Sequence, residues 1–307
     1  ESSEKGIRAV KISLVALMVT AILQVLIVLV TGSVALLADT IHNFSDALTS
    51  IPLWIAFVLG RRAATKSYTY GYRRAEDIAG LFIVAMIALS AVLAAWESVD
   101  RLFNPRDVEY LGLVAAAGIV GFIGNEFVAI YRIRVGREIG SAALVADGYH
   151  ARTDGLTSLA VLFGAIGVAM GFPAADPIIG LMITVAILFI LRDATKQVFR
   201  RLMDGVDPHT VDDVAANAAS VDGVLGVEDV RVRWIGHRLD ATVQVVVDEK
   251  LSLIDGHEIA HEVTDALEGA MPNLDNIVVH VEPGEAGHHD QAPPAVPNHS
   301  HQEPPPS

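Results

Sequence analysis

The chain has 307 residues, 52% of them hydrophobic, with a formal net charge of −14 and a mean hydropathy of +0.45. Because cysteine is absent, disulfides and thiolate ligands are excluded, which argues against a copper(I) carrier. The acidic balance also argues against a nucleic-acid-binding protein. Residues 205–283 hold 16 acidic against 4 basic side chains, a net of −12, so most of the acidity belongs to one segment of water-soluble composition.

The preceding part of the chain is dominated by apolar runs of membrane-spanning length. A helix needs ~20 residues to cross ~30 Å of hydrocarbon. The first run, Ile12 to Val30, is too long for a signal peptide and lacks a small-residue cleavage site, so it is interpreted as a span. Six segments qualify and predict a six-helix membrane domain: 10–30, 34–60, 78–103, 108–131, 142–170 and 176–199.

The distribution of lysine and arginine predicts the orientation of these spans. The N-terminus and the segments 61–74, 132–137 and 192–201 carry 15 of these side chains. The opposite side carries only Arg101 and Arg106. By the positive-inside rule, both termini are expected in the cytoplasm.

After Asp204 the periodicity changes to that of a small α+β domain. Asp207 and Pro208 are typical of a helix start, as N-cap and first helical residue. The following pattern predicts the order αββαβ, a ferredoxin-like arrangement expected to dimerise because about 80 residues bury little surface alone. The predicted divisions are 1–203 for the membrane domain, 204–284 for the cytoplasmic domain and 285–307 for a disordered tail rich in His and Pro.

Two copies of one motif lie inside the predicted second and fifth spans. Both read A-D-x-x-H-x-x-x-D, at residues 38–46 and 146–154. Residues four apart share a helix face, so His42 is expected beside Asp46 and His150 beside Asp154. His42 lies ~14 Å from the outer face and His150 ~20 Å from the inner one, at 1.5 Å per residue, so two antiparallel helices would bring the copies to one depth.

Two imidazoles and two carboxylates make a complete ligand set for a tetrahedral zinc-like ion. Asp39 and Asp147 are expected either to orient the imidazoles from outside the coordination sphere or to hydrate the path. A competing interpretation makes these residues polar packing groups, although ionisable side chains cost at least ~2.5 kcal/mol each at mid-membrane. An intramembrane metalloenzyme such as a hydrolase is the alternative function, but it would need an open water position and a general base.

The twin motifs resemble those of cation diffusion facilitators, as do Tyr70 to Glu76 before the third span and the terminal strand ending Val279 to Pro283. The resemblance implies a homodimeric transporter in the cell membrane, plasma or inner, and not an enzyme. It would export divalent metal, Zn²⁺ first and Cd²⁺, Co²⁺, Fe²⁺ or Mn²⁺ otherwise, in exchange for protons. By position, it implies a transport site formed by His42, Asp46, His150 and Asp154.

The resemblance carries three further expectations. A metal site in the loop between the second and third spans is not expected, because Arg61 to Arg74 contains neither His nor acid. An interdomain charge pair is expected between Arg74 and Asp204. A cytoplasmic metal site would use Glu228, His257, His280 and Glu282, and the pair His257 and His261 has the i, i+4 spacing of metal ligands.

Overall fold

The computed structural model describes residues 2–31, 50–104, 111–172 and 174–284. The chain divides into two compact units. The first comprises residues 1–205 with the segment Ile235–His237, and the second comprises Val206–Trp234 with the residues from Arg238 onward. The predicted division after residue 203 therefore lies two residues before the observed one.

The regular structure described in residues 1–205 of the first unit is helical. Helix α1 spans Ser2–Thr31 and α2 spans Ile51–Gly60, which is the described end of the predicted second span. The remaining helices are α3 (Arg74–Phe103), α4 (Leu111–Ile139), α5 (Ala142–Ala169) and α6 (Ala175–Leu202). Within the described residues, four segments are long and apolar enough to cross a membrane: Ser2–Leu23, Arg74–Phe103, Val114–Ile139 and Ala175–Leu202. The predicted class of helical membrane protein is confirmed.

One sequence prediction is wrong in this unit. The segment 132–137 was expected to be a cytoplasmic loop, but α4 runs without a break to Ile139. Only Gly140 and Ser141 separate it from α5, and Gly140 has a φ of +76°, which glycine adopts readily. Arg132 is consequently a helical residue with 1% of its surface exposed.

Glycines set the close approach of α4 and α5. A Cβ added at Gly148 would lie 3.0 Å from the backbone nitrogen of Ile133 and 3.1 Å from the carbonyl oxygen of Ala129. At Gly136 it would lie 2.8 Å from the backbone nitrogen of Val145. Helices in lipid associate by such close packing of small residues, since lipid supplies no hydrophobic drive between them. The two helices are thus held at backbone contact at Val145, which directly precedes the motif, and at Gly148 within it.

The second unit has the predicted order αββαβ, which is confirmed. It consists of α7 (Pro208–Ala219), β1 (Gly226–Ile235), β2 (Arg238–Asp248), α8 (Leu253–Ala270) and β3 (Leu274–Gly284). Asp207 is the N-cap of α7, accepting a hydrogen bond from the backbone N–H of His209, with Pro208 in the first turn. Ser252 and Asp255 form a capping box at the start of α8.

The sheet has the strand order β1-β2-β3, with β3 parallel to β2 in a register that pairs Val243 with Val279 and Gln244 with His280. Alternate β2 side chains at Val243 and Val245 are fully buried against Val263 and Leu267 of α8. The opposite sheet face carries exposed His280. This alternation is the reason for the two-layer structure, because each strand offers one apolar face to the helices.

Candidate metal transport site

The candidate site is built on α5, whose start is fixed by its cap. The side chain of Ser141 accepts a hydrogen bond from the backbone N–H of Leu144, and its hydroxyl donates to Glu76 at 2.5 Å. The cap fixes the phase of the helix that follows. It therefore determines where Asp147, His150 and Asp154 lie around the helix.

His150 and Asp154 lie side by side in the interior. Their exposed fractions are 1% and 7%, and Nδ1 of His150 is 3.9 Å from Oδ1 of Asp154. That separation is too long for a direct hydrogen bond between the two atoms. Two ligand atoms bound tetrahedrally at ~2.0–2.1 Å lie ~3.3 Å apart, so a small side-chain movement would let both contact one ion.

Asp147 does not orient an imidazole through any interaction that the described residues show. Its Oδ2 is 3.0 Å from Nη1 of Arg132 on α4, and both side chains are buried. The contact that the described residues show for Asp147 is therefore an ion pair between α4 and α5, and the expected roles of orienting an imidazole or hydrating the path stay predictions. The motif holds two carboxylates with different partners, one beside the imidazole and one beside a guanidinium.

A second ion pair links the same helices. Arg152 donates to both carboxylate oxygens of Glu126, at 2.6 and 3.2 Å, with both side chains about two-thirds buried. Glu126 is therefore the counter-ion of Arg152 in the interface between α4 and α5.

The other predicted residues fall into two groups. His42, Asp46 and Asp39 lie outside the described residues, so the convergence of the two motif copies stays a prediction. In the second unit, Nε2 of His257 and Nε2 of His261 are 3.1 Å apart, and Nε2 of His280 lies 3.6 Å from Oε1 of Glu282.

The predicted cytoplasmic ligands do not converge in one chain. Glu228 accepts a hydrogen bond from Gln244 at 3.2 Å. Across the described ranges, no three His, Asp or Glu side chains are grouped closely enough to hold a metal. The metal-ligating side chains that lie close together in this domain form two pairs, His257–His261 and His280–Glu282.

Arg74 and Asp204 approach each other within the first unit. Nη2 of Arg74 donates to Oδ1 of Asp204 at 2.8 Å, and Nη1 lies 3.4 Å from the carboxylate of Asp77. Asp204 has a φ of +56°, in the left-handed region that Asp adopts more easily than most residues. The side chains of Arg74 and Asp204 are 41% and 46% exposed, so the pair contributes at most ~1 kcal/mol and acts mainly through geometry.

Arg132 is the buried ion-pair partner next to the candidate site that sequence reasoning missed. It was grouped with Arg134 and Arg137 as one basic loop. Measured from the turn at Gly140, Arg132 lies eight residues back and Asp147 seven residues forward. At 1.5 Å per residue these positions differ by only ~1.5 Å in height on antiparallel helices. This near-equal height could have predicted the pairing of Arg132 with Asp147.

The class of protein follows from two family matches. Residues 10–203 match the cation efflux transmembrane domain, and residues 206–284 match the cytoplasmic domain of cation efflux proteins. The chain belongs to the cation efflux family, that of the cation diffusion facilitators. It is therefore a multi-pass integral membrane protein of a family that exports divalent metal cations, as the motif resemblance predicted.

Its relatives cover nearly the whole chain. The protein named "Probable cation efflux system protein Rv2025c" of Mycobacterium tuberculosis is 58% identical over 287 residues, 94% of this chain and 86% of that protein. The manganese efflux system protein MneP of Bacillus subtilis is 26% identical, covering 92% of this chain and 98% of its own length. A solved nickel form of the MamM CTD is 28% identical over 25% of this chain and 99% of that one, with a TM-score of 0.24.

Proposed function

We propose that the protein exchanges Zn²⁺ for protons by alternating access through a site of His42, Asp46, His150 and Asp154. The observation that carries the proposal is the buried His150–Asp154 pair on α5, at 1% and 7% exposure in a cation efflux transmembrane domain. Buried ionisable side chains within a membrane helix are costly and mark ion pathways. Four such ligands supply two imidazole nitrogens and two carboxylates.

Charge balance explains how the bound ion is both held and released. Two carboxylates neutralise a divalent cation, and two neutral imidazoles replace its remaining hydration. An imidazole binds either a metal ion or a proton at its ring nitrogen, which makes histidine suited to exchanging one for the other. Protons arriving from one side would displace the ion, because protonated imidazole cannot bind metal. Deprotonation on the other side restores the site, which couples metal movement to protons.

The preference for Zn²⁺ rests on the ligand types. Imidazole suits zinc, whereas carboxylate and water suit manganese. MneP, by its name, exports manganese. Mn²⁺, Cd²⁺, Co²⁺ and Fe²⁺ are therefore the ions to compare with Zn²⁺, and a His-containing site is expected to favour Zn²⁺ over Mn²⁺.

We further propose that the protein is a homodimer in the cell membrane. Both of its termini would lie on the cytoplasmic side. The family match over residues 206–284 is to a cytoplasmic domain, which supports that side for the C-terminal unit. A sheet covered by helices on one face, with the other partly open, is suited to pairing with a second copy. Arg74 and Asp204 would connect the start of α3 to the end of the first unit, two residues before the cytoplasmic unit begins.

The test is metal flux into proteoliposomes with an imposed pH gradient, using the five metals above. Asp154→Asn and His150→Gln remove one ligand each and are expected to reduce Zn²⁺ flux to background. Ser158→Ala is the matched control, because Ser158 is another buried polar residue of α5, one turn beyond Asp154. Wild-type flux in Asp154→Asn would refute the site. Zn²⁺ flux that leaves the internal pH unchanged would refute proton exchange.

A further inference from the structure

The buried ion pair between Arg132 and Asp147 lies beside the transport site and is not explained by binding the ion. Nη1 of Arg132 and Oδ2 of Asp147 are 3.0 Å apart, with 1% and 0% of each residue exposed. Arginine stays charged at all relevant pH values. A buried charge of this kind is retained only when an opposite charge compensates it, so Arg132 and Asp147 depend on each other.

Asp147 occupies the same side of α5 as the ligand histidine. It precedes His150 by three residues, which places the two about 60° apart around the helix axis. A carboxylate in that position is within one turn of the ion and has the right chemistry to bind it. The close contact of α4 with α5 at Gly148, next to Asp147 in the chain, brings the guanidinium to this carboxylate.

The Nε and Nη2 atoms of Arg132 distinguish its ion pair from one that only holds two helices together. Among the described residues, its Nε and Nη2 make no hydrogen bond. Its charge also interacts with Asp154 in addition to Asp147. A bidentate clamp, as in Arg152–Glu126, uses two nitrogens on one carboxylate. Arg132 instead provides positive charge to two carboxylates, one of them a proposed ligand.

We propose that Arg132 is a specificity-determining positioning residue that holds Asp147 out of the metal's coordination sphere. It thereby limits the ligands of α5 to one imidazole and one carboxylate. This inference rests on the proposed transport site at His150 and Asp154. The neutral Arg132–Asp147 pair keeps the charge of the site low enough for a divalent ion to leave.

Removing the guanidinium should therefore tighten metal binding, which is opposite to the usual effect of a damaging substitution. In Arg132→Gln, Asp147 becomes an additional carboxylate near the ion. One extra unit charge close to a divalent cation is worth more than a tenfold change in Kd even at an effective dielectric of about 20. We expect the Kd for Zn²⁺ to fall about tenfold or more, with slower turnover, and Mn²⁺ to gain more than Zn²⁺ because carboxylate oxygens suit it.

The experiment measures Zn²⁺ and Mn²⁺ binding by calorimetry on the purified full-length protein, and flux in proteoliposomes. Asp147→Asn leaves Arg132 as an unpaired cation and should raise the Kd. The double variant Arg132→Gln with Asp147→Asn removes both charges and should return the Kd towards that of the wild type. Arg132→Lys keeps the positive charge, and its Kd should lie between that of the wild type and that of Arg132→Gln.

Arg152→Gln is the matched control, since it breaks the other ion pair between the same two helices. An equal tightening in that variant would mean a general charge effect and would overturn the proposal. So would a folded Arg132→Gln whose Kd is unchanged or raised. If Arg132→Gln does not fold, Asp147→Asn provides the test instead. The proposal is then wrong if Asp147→Asn binds Zn²⁺ as tightly as the wild type. Asp154→Asn separates the two hypotheses, because unchanged binding in it refutes the transport site itself.

Discussion

Gly148 stands between Asp147 and His150, and replacing it by alanine tests whether the approach of α4 and α5 sets the site. An added Cβ would lie 2.6 Å from Cγ1 of Ile133, in addition to its 3.0 Å contact with the backbone nitrogen of that residue. The Ile133 side chain has rotamers available, but the backbone of α4 does not. Relief therefore requires the two helices to separate by a few tenths of an ångström.

The free energy follows from two opposing effects. Overpacking a close-packed interior costs about 1–3 kcal/mol. Alanine is favoured over glycine within a helix by about 1 kcal/mol. Gly112 of α4 shows the second effect alone, since a Cβ there meets no heavy atom of the described residues within 4 Å. Gly148→Ala should thus be less stable than Gly112→Ala by about 1–3 kcal/mol.

The assay compares the two variants by thermal unfolding in detergent and by Zn²⁺ flux in proteoliposomes. Gly112→Ala should match or exceed the wild type in melting temperature and keep its flux. Gly148→Ala should melt at a lower temperature and transport more slowly, because His150 and Arg132 shift relative to each other. Equal melting temperatures and fluxes for the two variants would refute the claim that backbone contact at Gly148 positions the site.

Three further predictions test other parts of the molecule. Reversing charge at Arg74 or Asp204 alone should reduce flux, and reversing both should restore it; a double variant no better than the singles would show that the pair is not coupled. Leu267→Ala should destabilise the cytoplasmic unit by about 2–5 kcal/mol in calorimetry, because Leu267 is 0% exposed in its core. His42→Asp should lower the Zn²⁺/Cd²⁺ flux ratio, since a carboxylate adapts to a larger ion more easily than an imidazole; an unchanged ratio would contradict this.

The cytoplasmic unit was predictable because its signals are local. Asp207 and Pro208 define the start of α7, and the alternation around Val243 and Val245 defines a half-buried strand. The residues at which the strands begin and end were harder to predict from the sequence. Strand β3 begins at Leu274 because its pairing with Leu239 of β2 extends it beyond the apolar run that starts at Ile277.

The partners of buried charges were not predictable in the same way. The number of lysines and arginines near the ends of the spans indicates how the spans are oriented in the membrane. Because this is a statistical rule, it led to the prediction that Arg132 lies in a loop. Its actual environment depends on a tertiary contact, since α4 continues to Ile139 and passes Asp147 at the same height. Likewise, Glu126 pairs with Arg152, which is 26 residues away in the chain and on the next helix.

The polar content of α5 is consistent with its place among the helices. Asp147, Arg152 and Asp154 lie in its first half, and it packs against α4, α6 and α3. A helix surrounded by protein can carry charge where a lipid-facing helix cannot, provided that each charge has a partner. Two of these charges are matched by Arg132 and Glu126 on α4. Asp154 interacts with the charge of Arg132 as well, and in its proposed role it also balances the charge of the transported ion, which must leave in every cycle.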